Sequence, residues 1–316
     1  MEIHQLRSFV GVAEEGGFCK AAAALGIAQP SLSQHIQRLE KHLGRTLFDR
    51  LGRQTVLTEA GRSLLPKAKR ILAEMREIEE DAGADEAGGG GTDRPHRLVV
   101  GAIPTIAPYL LPGVIRALVR PTTKAPLRHE IVIREDVTDR LVPAVVNAEV
   151  EVAIISAPVQ DDRIEIEHLQ TEPFMVAVPA DHAWAKRPSI PLASLDEEDL
   201  IVLHEEHCFG RQLAAVCAGL RITPKAHSAT ASLRTAIEMV AAGVGITVVP
   251  AICAAGSRGV GGAGGCVFVP LSGKPPAARD ISLAWRKGRT RSAAAGRFAA
   301  EVATRLSQTL TDKQNA

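Results

Sequence analysis

Long apolar runs are missing from this chain. No stretch approaches eighteen uncharged apolar residues, so no membrane-spanning helix is expected. The N-terminal segment MEIHQLRSFV has no uninterrupted apolar core of the kind a secretory signal requires, which points to a cytoplasmic protein with no membrane partner. Cysteine is sparse: Cys19, Cys208, Cys217, Cys253 and Cys266, with no C-x-x-C pair. No His/Cys cluster has zinc-finger spacing, so neither a metal nor another cofactor is expected. In a reducing cytosol permanent structural disulfides are rare, and these thiols read as free ones. Aromatic residues amount to only 3% of the chain. Excess charge is lacking as well, at a formal net value of +1.

That near-neutrality hides an uneven distribution. Residues 1–70 carry eleven Lys/Arg against six Asp/Glu, whereas residues 74–86 hold seven acids against Arg76 alone. A basic module joined to a neutral remainder suits a double-stranded DNA binder, because phosphate contacts need cations only where the duplex docks. The apolar period of residues 3–14 predicts a first helix ending at Gly16-Gly17, followed by a second from Phe18 to Leu25. In AQPSLSQHIQRLEKHLG, Pro30 suits a helix's first turn, and Leu32, Ile36, Leu39 and Leu43 form one buried stripe. The opposite face offers Ser31, Gln34, Arg38 and Lys41, so the pair reads as a helix-turn-helix. GRTLFDRLGRQTVLTEAG reads as a β-wing carrying Arg45, Arg50 and Arg53, arginines placed to hold phosphates. Candidate DNA contacts are Gln29, Pro30, Ser31, Ser33, Gln34, Arg38, Arg50 and Arg53.

Thr58 is placed to cap a long helix in which Leu64, Ala68, Ile71, Met75, Ile78 and Ala82 recur by fours and threes. This heptad-like seam predicts a dimerising linker helix over 61–85 after a DNA-binding domain at 1–60. AGADEAGGGGTD then reads as a flexible linker over 86–96. From Arg97 onward, short apolar runs (RLVVGAI, EIVIRED, EVAIIS, FMVAVP, DLIVL, GITVVP, CVFVPL, ISLAW) alternate with helical stretches at 108–120, 137–147, 208–219 and 232–242. That alternation predicts parallel sheets with helical crossovers, and ligands at the carboxyl ends of the strands. Two α/β subdomains are expected, 97–171 with 271–305 and 172–270, before a tail at 306–316.

LRSFVGVAEEGGFCKAAAALGIAQPSLSQHIQRLEKHLGRTLFDRLGRQTVLTEAG resembles the DNA-binding region of LysR-type transcriptional regulators. VGAIPTIAPYLLP, MVAVPADHAWA and AAGVGITVVPA resemble their effector domain. The resemblance implies a winged helix-turn-helix, a linker helix and two Rossmann-like subdomains of periplasmic-binding-protein type. It also implies a homodimer or homotetramer on promoter DNA, acting as an activator with RNA polymerase as a further partner. Cys19 stands where the family usually has Thr or Ser, and the Gly-rich stretches GGGGTD and GSRGVGGAGG are extra.

Within the family, HEEHCFGRQLAAVC is similar to the branch that senses hydrogen peroxide. That likeness makes Cys208 the peroxide-reacting thiol and Cys217 its resolving partner. It gathers Thr105, Thr138, His207, Gln212, His227 and Arg279 around them. A thiol attacks peroxide as thiolate, which a nearby cation or a helix N-terminus favours. Cys208 is expected at such an N-terminus, with Arg211 three residues on. If 208–217 is helical, nine residues at about 1.5 Å each part the cysteines by roughly 13 Å. A disulfide needs Cα atoms within about 7 Å, so forming it requires unwinding, which would begin at Gly210. Cys217 also fits a helix's buried stripe with Leu213, Val216 and Leu220, an ordinary core position. The branch usually has Leu-Arg-Asp-Gln after the first cysteine; here it is Phe209-Gly210-Arg211-Gln212. A second reading keeps the regulator but places a small organic effector in the inter-domain cleft, its carboxylate held by Thr105 and Arg279. An enzyme or solute-binding protein is the third, and residues 1–60 argue against it.

Overall fold

The computed structural model describes residues 1–51, 54–84, 97–120, 130–156, 158–203, 208–219, 225–256, 265–273 and 276–311. They form two compact units, Met1–Arg94 with Asn147–Glu149, and Pro95–Val146 with Val150–Ala316.

In the first unit, α1 (Ile3–Glu15), α2 (Phe18–Leu25) and α3 (Gln29–Leu43) each stop at a glycine in the left-handed conformation: Gly16, Gly26 and Gly44. Such C-caps suit glycine because no Cβ opposes positive φ. A two-stranded wing, β1 (Phe48–Leu51) paired antiparallel with β2 (Gln54–Leu57), leads to the long α4 (Glu59–Ala84). Leu6, Phe9, Val12, Leu32, Ile36, Leu39 and Leu47 form the core. Glu40 ties α3 to the wing by accepting from the Leu47 and Phe48 N–H groups at 2.7 and 3.4 Å. Thr58 caps α4 as the sequence indicates: its Oγ1 accepts from Gly61 N at 3.0 Å and donates to the Thr46 carbonyl at 2.8 Å.

Two details depart from the sequence reading. Leu43, expected in the buried stripe, is exposed, because it is the last residue of α3 and lies beyond the core. The α4 seam divides. Ala68 is buried with Leu72, one turn on, in the unit's own core, while Ile71 and Ile78 face outward, Ile78 at 69% exposure.

The second unit comprises β3 (Arg97–Ala102), α5 (Ala107–Val119), β4 (Glu130–Glu135), α6 (Thr138–Val146), β5 (Val152–Ser156) and β6 (Ile164–Pro179). Then follow β7 (Ile190–Pro191), β8 (Asp199–Leu203), α7 (Cys208–Gly219), β9 (Lys225–Thr230) and α8 (Leu233–Ala241). The remaining elements are β10 (Thr247–Pro250), α9 (Ala251–Gly256), β11 (Cys266–Ser272), β12 (Ala278–Arg286) and α10 (Ala293–Thr311). Eight strands run in the order β4-β3-β5-β12-β6-β11-β7, with β10 also on β6. Parallel pairing holds for β3 with β4 and β5, and for β8 with β9. The sheet is nevertheless mixed rather than parallel as expected, since β12 runs antiparallel to both β5 and β6.

The cause is β6, a sixteen-residue strand whose first part pairs with β12 and whose second part pairs with β10 and β11. It therefore threads both lobes, and its register with β12 sets Glu172 opposite Arg279. The expected tail at 306–316 is helical as far as Thr311, because Leu306 and Leu310, four apart, are buried against the core. No described helix is long and apolar enough to cross a membrane, and no described group of three or more His, Cys, Asp or Glu is placed to hold a metal.

Candidate functional sites

The first site is the outer face of α3. Gln29, Pro30, Ser31, Gln34 and Arg38 are exposed there, while Ser33 is half-buried and accepts from Gln29 Nε2 at 3.5 Å. His35 turns inward instead. Its Nδ1 lies 2.8 Å from Ser8 Oγ, and its ring packs on His4 with centroids 4.4 Å apart. Burial, then His4 and Arg38, lower its pKa and so favour the neutral ring. The side chains of Arg50 and Arg53 lie outside the described residues; Arg45 is exposed at the start of the wing.

The second site surrounds the first turn of α7. Cys208 is the first residue of that helix, where unpaired N–H groups favour an anion. The side chains of Cys208 and His227, and the whole of His207, lie outside the described residues. Thr105 and Arg279 are brought together: Arg279 donates through a terminal nitrogen to Thr105 Oγ1 at 2.6 Å. Its Nε donates to Glu172 Oε2 at 2.8 Å, and both side chains of that ion pair are fully buried. The guanidinium carbon lies 5.6 Å from the Phe209 ring centroid, and Phe209 meets Phe174 edge-on at 5.0 Å. The guanidinium thus lies over the ring of Phe209 in the first turn of α7, with its charge balanced by Glu172.

Gln212 Nε2 donates to Ser156 Oγ at 2.9 Å, and Ser156 Oγ donates to the Asp280 carbonyl at 3.0 Å. Arg211, one of the residues that departs from the peroxide-sensing pattern, pairs with Asp139 at 3.0 Å. The first turn of α7 is thereby tied to α6, β5 and β12. Thr138, beside Asp139, is buried, and its Oγ1 has no hydrogen-bond partner among the described residues. A buried hydroxyl left open in this way is suited to a small polar ligand or a water.

Cys217 is buried on the same helix, nine residues from Cys208. Burial first and Asp196 second raise its pKa, so it rests as a thiol. Cys253 is fully buried, Cys266 is half-buried with its pKa pushed up to about 11, and Cys19 is exposed.

Glu172 and Ser156 escaped the sequence reading, and Phe209 entered it only as a departure from the branch pattern. An acid before the apolar run of β6 carries no mark of its partner, which stands 107 residues away across a strand pair. Glu172 supplies an internal carboxylate to Arg279. An apolar groove of about 650 Å³ on α5 and β4, lined by Leu111, Ile115, Val119 and Ile133 among others, includes none of the predicted site residues.

A winged helix-turn-helix followed by a capped long helix and a two-lobed α/β unit defines the class: a DNA-binding regulator with an effector-type domain. The chain belongs to the LysR family, matching its substrate binding domain over residues 92–307 and the bacterial regulatory helix-turn-helix of the lysR family over residues 3–62. It is 32% identical over 288 residues to the DNA-binding transcriptional dual regulator OxyR of Escherichia coli K12, covering 91% of this chain and 90% of the relative. It is 32% identical to the hydrogen peroxide-inducible genes activator of Pectobacterium carotovorum, with 91% of each chain covered. Full-length OxyR from Pseudomonas aeruginosa, solved as a cysteine-to-aspartate mutant, superposes with a TM-score of 0.76 at 31% identity, over 96% of this chain and 94% of that one.

Proposed function

We propose that this protein is a cytoplasmic, sequence-specific transcription regulator, not an enzyme, that senses hydrogen peroxide through Cys208. The single observation that carries the reading is the first turn of α7. It begins at Cys208, bears Cys217 on the same helix, and meets the Thr105–Arg279 pair through Phe209. The names of the relatives support it, since they are activators of hydrogen peroxide-inducible genes. In the first step the Cys208 thiolate attacks one peroxide oxygen, the O–O bond breaks, and hydroxide leaves and takes up a proton; Cys208 becomes a sulfenic acid. In the second, the Cys217 thiol displaces water from that acid and the disulfide forms. Two electrons pass from the two thiols to peroxide in all. Because one helix holds the cysteines about 13 Å apart, the second step requires α7 to unwind.

The division of labour follows. Residues 1–60 bind promoter DNA, 61–85 dimerise, and 86–96 connect them to lobes 97–171 with 271–305 and 172–270. Ile71 and Ile78, exposed on α4, supply the apolar face a second copy would cover. His207, Thr138, Gln212 and His227 complete the peroxide surroundings. Cys208→Ser tests the reading: peroxide is expected to alter the operator footprint of the wild type and to leave that of the variant unchanged. A peroxide response that survives in the variant would overturn it.

A further inference from the structure

The residues that touch Arg279 are more specific than a cation near a thiol requires. Its Nε is committed to Glu172 Oε2, while a terminal nitrogen is committed to Thr105 Oγ1. The second Glu172 oxygen, Oε1, accepts from the Ile252 N–H at 2.6 Å, near the N-terminus of α9. One carboxylate thus joins β6, β12 and α9, and through Arg279 it reaches Thr105 in the turn just before α5. Two residues further along β6, on the same strand face, Phe174 supports Phe209. A single strand therefore sets both the guanidinium and the ring beneath it.

This has a consequence for Thr105. An Arg279 N–H donated to its Oγ occupies an acceptor position, so the hydroxyl's own hydrogen must be given elsewhere. Thr105 is thereby held as a donor, and a donor is what a departing hydroxide needs. We propose that Glu172 is a positioning residue of the Cys208 site. It fixes Arg279 so that Thr105 serves as a hydrogen-bond donor to the leaving oxygen of peroxide. The assignment rests on the peroxide-sensing reading and deepens it.

The carboxylate is hard to replace. Each of its oxygens faces an N–H donor, from Arg279 and from Ile252. A glutamine has one oxygen and one NH₂, so it satisfies one of these donors and opposes the other. Aspartate keeps both oxygens and the charge but shortens the reach by one methylene.

The experiment uses the full-length protein. Formation of oxidised Cys208 by hydrogen peroxide is timed by quenching and mass spectrometry. Alkylation of the same thiol by iodoacetamide is timed in parallel, both read across pH up to the plateau where the thiol is ionised. Alkylation needs the thiolate but no donor for a leaving oxygen. In Glu172→Gln the plateau rate with peroxide is expected to fall about 100-fold, the scale of a misplaced catalytic contact. The plateau alkylation rate stays within about threefold, since thiolate nucleophilicity is little changed. Glu172→Asp is expected to give the same split at about tenfold, and it decides the matter if the glutamine variant does not fold. Peroxide and alkylation rates that fall together, or that both hold, overturn the assignment. A wild-type Cys208 that does not react with peroxide overturns the sensing reading itself, whatever the variants do.

Discussion

Gly61 shows how one residue constrains the DNA-binding unit. A Cβ there would overlap the Leu47 carbonyl oxygen and lie 2.8 Å from Leu57 Cδ2. The same Gly61 gives its N–H to the Thr58 cap, so α4 enters the core where the wing leaves it. Gly61→Ala is expected to destabilise this unit by about 1–3 kcal/mol, the usual range for overpacking. The melting transition of the N-terminal unit and its DNA affinity should both fall, with Cys208 chemistry unaffected. An unchanged melting temperature would mean that Leu47 yields freely. The glycine's role was invisible in the sequence, where Thr58 and Glu59 announce the helix start and Gly61 looks merely permissive. Cys208 and Cys217, by contrast, were singled out by the likeness of HEEHCFGRQLAAVC to the peroxide-sensing branch. Glu172 was not, because nothing local marks a partner that only the β6–β12 register supplies.

At the scale of the element, α7 is a helix tied down mostly at its first turn. Gln212 to Ser156 and Arg211 to Asp139 fasten it, and Phe209 sits buried between Phe174 and Arg279. The Arg211–Asp139 pair is exposed and contributes little. The Gln212 bond is the stronger tie. Ser156→Ala is expected to loosen the first turn by about 1 kcal/mol, roughly fivefold in the balance between helical and unwound segments. The step from sulfenic acid to disulfide should then run faster, which quench-flow mass spectrometry reads directly. A disulfide step of unchanged rate would place the barrier elsewhere in α7. The helix itself was readable from apolar period and the strand before it. What the sequence concealed was the partner of Arg211: the shifted arginine finds Asp139 on α6, a contact that only the fold makes apparent.

For the whole molecule, the alternation of strand and helix told of two α/β lobes, and the N-terminal motifs told of a winged helix. The direction of the strands was misjudged, because β6 passes through both lobes and β12 returns beside it antiparallel. Periodicity sees neither crossing. That crossing is what places Glu172, Arg279 and Phe174 next to α7, so the feature least visible in the sequence is the one that supports the site. On the proposed reading, a reactive thiol at the start of α7 and a buried, protonated thiol near its end become joined. Treating the reduced protein with stoichiometric hydrogen peroxide and mapping its disulfides by mass spectrometry tests this most directly. The expected result is a Cys208–Cys217 link formed with loss of helical signal, and Cys19, Cys253 and Cys266 left as thiols. Cys208 and Cys217 remaining unlinked, under conditions that oxidise a known peroxide sensor, would contradict it.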